Sequence, residues 1–374
     1  MKLLLPAALA AILAAIPSPV SACAAVGPDG SRIDITSEAA LIVWDEANRM
    51  EHFIRRASFE SSAYDFGFLV PTPSLPEIAE SDDEVFTRLT DITKPKIEYR
   101  TRTASIGCVA GAKFASEAAG KSDGVMVLQA GRVGDHDVVS LKFEPKAGSV
   151  EHGSQALADW LVRFGYGFGT TLKEWVEPYV KNGWVITAFR IAGQKPEEPL
   201  TRATGRSRGR DAHGLRAKPV RLSFKTDRPF YPYREPADMR LASPSPHGRI
   251  LKVYFVADKR FSGTIGDSAP FPGRIAWSDT LQDAERIDVI AKAKLPADAG
   301  PKAEWRLTEF EDRSSPRPGT DEVYFAPSAD QSAVARPPII HDRETFTPWY
   351  IGLAVCFGLP AITFLLLAIK RRAA

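Results

Sequence analysis

Residues 39–73 read AALIVWDEANRMEHFIRRASFESSAYDFGFLVPTP. Leu41-Ile42-Val43-Trp44 is a short apolar run of strand-forming side chains. Glu46-Ala47-Asn48-Arg49 follows as a polar turn. Met50 to Phe59 alternates less cleanly but carries Phe53, Ile54 and Phe59, and reads as a second strand. Phe66-Gly67-Phe68-Leu69-Val70 is a third, running into Pro71 and Pro73. Proline cannot donate to a sheet ladder, so that strand must stop there or become an edge. Three strands in close succession make the body β-dominated.

The pattern continues toward the C-terminus. Ile97–Arg102, Val125–Leu128, Val138–Phe143, Trp184–Ile191, Val220–Phe224, Leu251–Ala257, Arg274–Trp277, Trp305–Phe310 and Glu322–Phe325 all read as strands. Helical spacing is confined to a few places. Ser81-Asp82-Asp83-Glu84 has the form of a capping box ahead of Val85, Phe86, Leu89 and Ile92, and Pro95 ends that helix. Leu157, Trp160, Leu161 and Phe164 mark a second helix. Thr171-Leu172-Lys173-Glu174 has the same box form before Trp175, Val176 and Tyr179, and Asn182-Gly183 closes that helix. Arg286–Leu295 fits either helix or strand, and Ala110–Ser122 reads as a loop.

Both ends of the chain carry address signals. Lys2, the apolar run Leu3–Ile16 and Val20-Ser21-Ala22 give residues 1–22 the form of a signal peptide. Trp349–Ile369 is an uncharged run, WYIGLAVCFGLPAITFLLLAI, long enough to cross a bilayer as a helix. Trp349 and Tyr350 suit the headgroup level, and Lys370-Arg371-Arg372 mark the cytoplasmic side. The body is therefore expected outside the cytoplasm, periplasmic or extracellular, on a single-pass C-terminal anchor. Removing Lys2, Lys370, Arg371 and Arg372 leaves 44 basic residues against 46 acidic ones. That balance excludes the basic footprint of a nucleic-acid binder.

Of the three cysteines, Cys356 lies inside the apolar run. Cys23 and Cys108 remain in an oxidising compartment and are expected to pair. Val20-Ser21-Ala22-Cys23 also fits the box before a lipidated cysteine, although such an anchor would be redundant beside a transmembrane helix. Residues 201–218 hold Arg202, Arg206, Arg208, Arg210, Arg216 and Lys218 among small residues. They read as a solvated flexible insertion or as a contact with anionic lipid or envelope polymer.

His52, His136, His152, His213, His247 and His341 form no H-E-x-x-H and no pair at metal-ligand spacing. Glu51-His52 and Glu151-His152 point to opposite faces on a strand and read as solvated surface pairs. No C-x-x-C and no G-x-S-x-G is present. Gly165-Tyr166-Gly167-Phe168-Gly169 suggests a phosphate cradle, but it follows a helix and lacks G-K-[ST], so it reads as a helix connector. Phe230-Tyr231-Pro232-Tyr233-Arg234 is either a bent, packed strand or a binding ridge. No cofactor, metal or catalytic residue is expected from these patterns.

Several of these pieces recur in a familiar order. They begin with Cys23, Ala40–Asp45 and Asp65-Phe66-Gly67-Phe68-Leu69-Val70-Pro71-Thr72-Pro73. Val133–Val138, Leu157–Leu161, Tyr179–Trp184, Val220–Phe224, Phe230–Arg234 and Val253–Asp258 follow, then Leu307-Thr308-Glu309 and Asp321–Phe325. The set resembles the bacterial family called domain of unknown function 2330, an exported family without an assigned activity. The likeness covers about residues 23–327, and residues 201–218 look like an insertion in it. It implies a fold and an address, and carries no catalytic residue across.

The expected fold is α+β. A β-dominated, mostly antiparallel extracytoplasmic body with a few helices precedes one C-terminal transmembrane helix. The expected divisions are a signal peptide (1–22), an N-terminal α+β part (23–200), an arginine-rich loop (201–218) and a strand-rich part (219–326). A proline-rich tether (327–348), the transmembrane helix (349–369) and a cytoplasmic tail (370–374) complete them. Two function classes stay open. One is a non-enzymatic binding or assembly module of the cell envelope, with the membrane and an unidentified envelope protein or polymer as partners. The other is an envelope hydrolase with a dispersed site.

Overall fold

A computed structural model of the chain describes residues 24–28, 31, 33–61, 63, 65–103, 130–133, 136–142, 157–159, 161–163, 165–192, 213–237, 249–314 and 316–345. The expected signal peptide, Cys23, Cys108 and the bond expected between them, the strand expected at 125–128, residues 201–212 of the arginine-rich stretch, and the apolar run 349–369 with residues 370–374 lie outside these residues. The chain divides into two units. One comprises Met1–Thr93 with Gly124–Ala335, the other Lys94–Asp123 with Arg336–Ala374.

The first unit is built on an eight-stranded sheet. Its strands run in the order β16 (Arg274–Thr280), β17 (Arg306–Asp312), β13 (Ile250–Ala257), β2 (Ile33–Asp45), β3 (Met50–Ser61), β11 (Val220–Lys225) and β5 (Glu77–Glu80), with β10 (His213–Arg216) also paired to β3. All pairings are antiparallel except β13 with β2. Strands from the N-terminal α+β part and from the strand-rich part thus interleave in one sheet.

A five-stranded antiparallel sheet has the order β1 (Ala25–Val26), β4 (Asp65–Thr72), β9 (Val185–Ala192), β8 (His136–Lys142) and β7 (Ala130–Val133). A four-stranded sheet has the order β12 (Phe230–Tyr231), β18 (Val323–Pro327), β14 (Phe261–Ile265) and β15 (Ala269–Pro270). The inner faces of all three sheets close one core. Ala40, Ile42, Phe53, Phe59, Leu222, Val253 and Phe255 meet Phe66, Phe68 and Phe189 from the five-stranded sheet, and Phe261, Val323 and Phe325 from the four-stranded one. Fully burying an aromatic such as Phe255 stabilises by about 1.5–3 kcal/mol.

Helices cover the two outer faces. α1 (Glu84–Thr93) and α3 (Asp283–Lys292) lay Val85, Phe86, Leu89 and Val289 over Leu41, Val43, Ile54, Tyr254 and Leu307. α2 (Thr170–Lys181) lays Leu172, Trp175, Val176 and Tyr179 over Leu69, Ile186 and Ala188. The layer order in this unit is helix, sheet, sheet, helix. Because both faces of the main strands are buried, Leu41-Ile42-Val43-Trp44 is continuously apolar.

Local details differ from the sequence reading for physical reasons. α1 begins at Glu84, whose N–H is accepted by Asp82 Oδ1 at 2.9 Å, so Asp82 caps it in place of Ser81. α2 starts after Gly169 without a side-chain cap, so Thr171 lies inside the helix. Arg286–Leu295 resolves into α3, where the Glu285 carboxylate accepts the Gln282 N–H at 3.0 Å. Residues 213–216, expected to be flexible, pair with Ser58–Ser61 as β10, because β3 extends beyond β11 and offers a free edge. Pro71 stays within β4, opposite Ile186. It is tolerated because β1 reaches only to Phe68, leaving that end of β4 as an edge.

Part of the stretch expected as a proline-rich tether is held against the first unit's strands. Ser278 and Val334 exchange backbone hydrogen bonds of 2.7 and 2.8 Å, and Arg260 pairs with Asp330 at 2.6 Å. Backbone groups near a strand edge gain partners there that proline-rich chain in water would lack. The second unit carries a two-stranded parallel ribbon, β6 (Ile97–Thr103) with β19 (Ile339–Thr345).

Candidate functional site

Charged side chains gather inside the sandwich at one end of the eight-stranded sheet. A β-bulge between Ile35 and Ser37 puts them there. A bulge shifts the strand's alternation by one residue. Ile33 and Ile35 face inward before it, and Ala40, Ile42 and Trp44 face inward after it. Glu38 is carried to the inner face with them, where its Oε1 accepts Arg55 Nε at 2.7 Å. Arg249 bridges Glu38 at 3.5 Å and Glu235 at 2.8 Å. Arg317 lies 3.6 Å from Glu235 and 3.2 Å from Asp312, and Tyr233 donates to Asp312 at 2.8 Å.

Three cations thus face three carboxylates. Burial alone would raise Glu38, but Arg55, Arg249 and Arg317 outweigh it and hold its pKa below the usual carboxylate range. Burial works against the charge on Arg317, and Glu235 and Asp312 overcome it. The contacts of Arg317 are ion pairs by distance. Their angles give its three guanidinium nitrogens no hydrogen bond among the described residues.

A second polar centre lies on the helix-covered face. The glutamate and histidine of Glu51-His52 do point to opposite faces, but both are buried, which corrects the reading of a solvated pair. His52 Nδ1 and Ser223 Oγ share a hydrogen bond of 2.8 Å. Burial, then the nearby Arg221, lowers the His52 pKa to about 4, so the ring is neutral at pH 7. Arg221 donates to the Lys294 carbonyl and pairs with Glu77 at 3.2 Å. On the inner face, Glu51 Oε2 accepts the Phe230 N–H at 2.9 Å, while its Oε1 has no partner among the described residues. Burial pushes this carboxyl well above its usual range.

Other polar groups act as ties. Glu322 receives the Tyr179 hydroxyl from α2 and the Tyr233 N–H, the latter at 2.7 Å, which joins α2 to the four-stranded sheet. Burial raises its carboxyl pKa despite those bonds. On the outer side of the five-stranded sheet, Arg190 pairs with Asp65 and, at 3.3 Å, with Asp137, and the Tyr166 hydroxyl donates to Asp65.

His136 stacks edge-on against Phe68 and Phe189, with Nε2 3.1 Å from the Lys218 carbonyl. His341 lies on the ribbon beside Tyr99. His152 and His247 lie outside the described residues. Phe230, Tyr231 and Tyr233 are fully buried, so the aromatic-proline stretch is packed core and not a binding ridge. Residues 165–169 connect a helical turn to α2, as their lack of a phosphate-loop ending implies. Among the described residues, no group of three His, Cys, Asp or Glu could hold a metal ion, and no helix is long and apolar enough to cross a membrane. Sequence reading missed Glu38, Arg55, Asp312 and Arg317 as a group. For Glu38, Arg55 and Asp312 the only signal is charge inside runs of strand-forming residues, and Arg317, between Pro316 and Pro318, carries none.

These features define a four-layer first unit of mostly antiparallel strands, with the buried charges around Glu38 matched to one another. A family model described as "uncharacterized protein conserved in bacteria (DUF2330)" matches residues 17–291, and the chain belongs to that family. The match ends within α3, so β17, β18 and β19 lie beyond it. No curated protein and no solved structure matches the chain.

Proposed function

We propose that this chain is a membrane-held, extracytoplasmic binding or assembly module of the cell envelope. One observation carries the reading. The charged groups gathered around Glu38 pair with one another, Glu38 with Arg55 and Arg249, and Asp312 with Arg317, so that cluster serves the fold. A buried cation matched by carboxylates is held in place and is a poor proton donor at neutral pH. The apolar run 349–369 would fix the body at the bilayer, and a short link there raises the effective concentration of a neighbouring partner, to about the millimolar range. The partner would be a protein or polymer of the envelope.

The test ends the chain after Thr345 and keeps residues 1–22, so that the released body is compared with the full chain. A binding module loses function when unanchored while its fold persists. In intact cells stripped to expose the cytoplasmic membrane, external protease should digest the body. Protection of the body would contradict the topology.

The second reading is an envelope hydrolase, favoured by the 2.8 Å contact between His52 and Ser223. A neutral imidazole beside a hydroxyl is the minimal pair for nucleophilic catalysis. If Ser223→Ala abolishes function without altering thermal stability, and the released body works at substoichiometric levels, this reading replaces the first.

A further inference from the structure

The β6–β19 ribbon leaves apolar side chains in water. Ile97, Tyr99, Ile339 and Ile340 are 55%, 70%, 47% and 44% exposed. Register opposes Ile97 to Ile339 and Tyr99 to His341, and opposed residues share a face. One face therefore carries Ile97, Ile339, Tyr99 and His341, with the Tyr99 and His341 rings 5.8 Å apart. The opposite face carries Glu98, Ile340, Arg100 and Asp342. A two-stranded sheet is marginal by itself in water, and parallel strands are ordinarily covered on both faces. Such an apolar face calls for a cover.

We propose that the cover is the membrane surface itself, with the ribbon lying flat among anionic headgroups; this rests on residues 349–369 crossing the bilayer. Three observations select lipid over other occupants. First, only residues 346–348 separate Thr345 from Trp349, so the end of β19 lies within about 14 Å of the apolar run even when the link is fully extended. Second, the strands are parallel, so β6 ends at the same side as β19, the side from which the chain runs on to Trp349. Third, residues 94–103 and 339–345 together hold Lys94, Lys96, Arg100, Arg102 and Arg343 against Glu98, Asp342 and Glu344, a net charge of +2. Basic residues beside isoleucine and tyrosine are the composition that lies in a membrane interface.

The experiment uses the full chain reconstituted in vesicles with about 30% anionic lipid, carrying a photoreactive benzophenone side chain at position 99 or, on the opposite face, at position 98. Lipid adducts should form at position 99 about fivefold or more above position 98, and should fall in vesicles of neutral lipid alone. Adducts to another copy of the chain would make the face a dimer contact. Adducts to residues of the same body would make it an internal packing face. Either result, or equal yields at both positions, overturns the proposal. An alkaline carbonate wash separates the two claims. A chain that resists the wash but gives no lipid adduct at position 99 retains its anchor and loses only the ribbon contact. A chain stripped by the wash loses both.

Discussion

Glu51 and His52 are neighbours with opposite pH behaviour. Burial raises Glu51 above its ordinary value, so the folded state holds a proton that the unfolded chain releases near pH 4.5. Its contribution to stability is complete below that pH and is lost as pH rises through the folded pKa. Glu51→Gln keeps an oxygen for the Phe230 N–H and removes the titration. Its denaturant midpoint should therefore fall less between pH 5 and 8 than that of the natural protein, and parallel profiles would contradict this. His52 is shifted the other way, from 6.5 to about 4, by burial and then Arg221. Its contribution is present above pH 6.5 and is lost as pH falls toward 4, by up to about 3 kcal/mol. His52→Gln should flatten that acid limb, and an unchanged limb would show that His52 already titrates normally.

At the scale of the element, helix starts and strand bulges set what each residue does. α1 depends on Asp82, whose carboxylate accepts the Glu84 N–H, whereas the buried Ser81 hydroxyl has no hydrogen-bond partner among the described residues. Asp82→Ala should cost about 1 kcal/mol, and Ser81→Ala clearly less, measured by urea unfolding. The reverse order would restore the serine cap that the residue pattern suggests. The bulge in β2 has a larger consequence. Without the extra residue, Glu38 would face the helices and Arg55 would be left in the core without its carboxylate. A strand's side-chain period is two, so one inserted residue exchanges its faces.

The first unit as a whole is held by apolar layers and by the charge network that links β2, β3, β17 and the segments around Glu235 and Arg317. Glu38→Gln leaves Arg55, Arg249 and Arg317 facing only Glu235 and Asp312. It should destabilise by about 3–5 kcal/mol, the usual cost of breaking a buried pair on one side. A loss under about 1 kcal/mol would mean that the arginines find other partners. A bond between Cys23 and Cys108 would close a loop of 86 residues and stabilise by about 4–5 kcal/mol on the chain-entropy model. Intact-mass measurement of the mature protein, before and after reduction, should show the two-hydrogen difference. Two free thiols, or a lipid on Cys23, would rule the bond out.

The β-rich class, the longer strands of the first unit and the helix at Val85–Ile92 were legible in the residues, because side-chain period and proline position are local properties. Helical or strand character at Arg286–Leu295 was not, since its spacing fits both and packing against α1 and the sheet settles it. The pairing of β2 with β13 was also illegible. It joins residues about 40 and 253 through a parallel register that no turn specifies. The polar centres were hidden for the same reason. Glu38 finds Arg249, and His52 finds Ser223, only after distant strands become neighbours. The sequence by itself determined the sites of the main strands, such as those at Val220–Phe224 and Leu251–Ala257, while β10 and β19 lie in stretches read as loop and tether; family membership follows from the ordered set. Tertiary structure alone decided which charges are buried together, because burial and partner distance belong to the packed sheets and not to any stretch of chain.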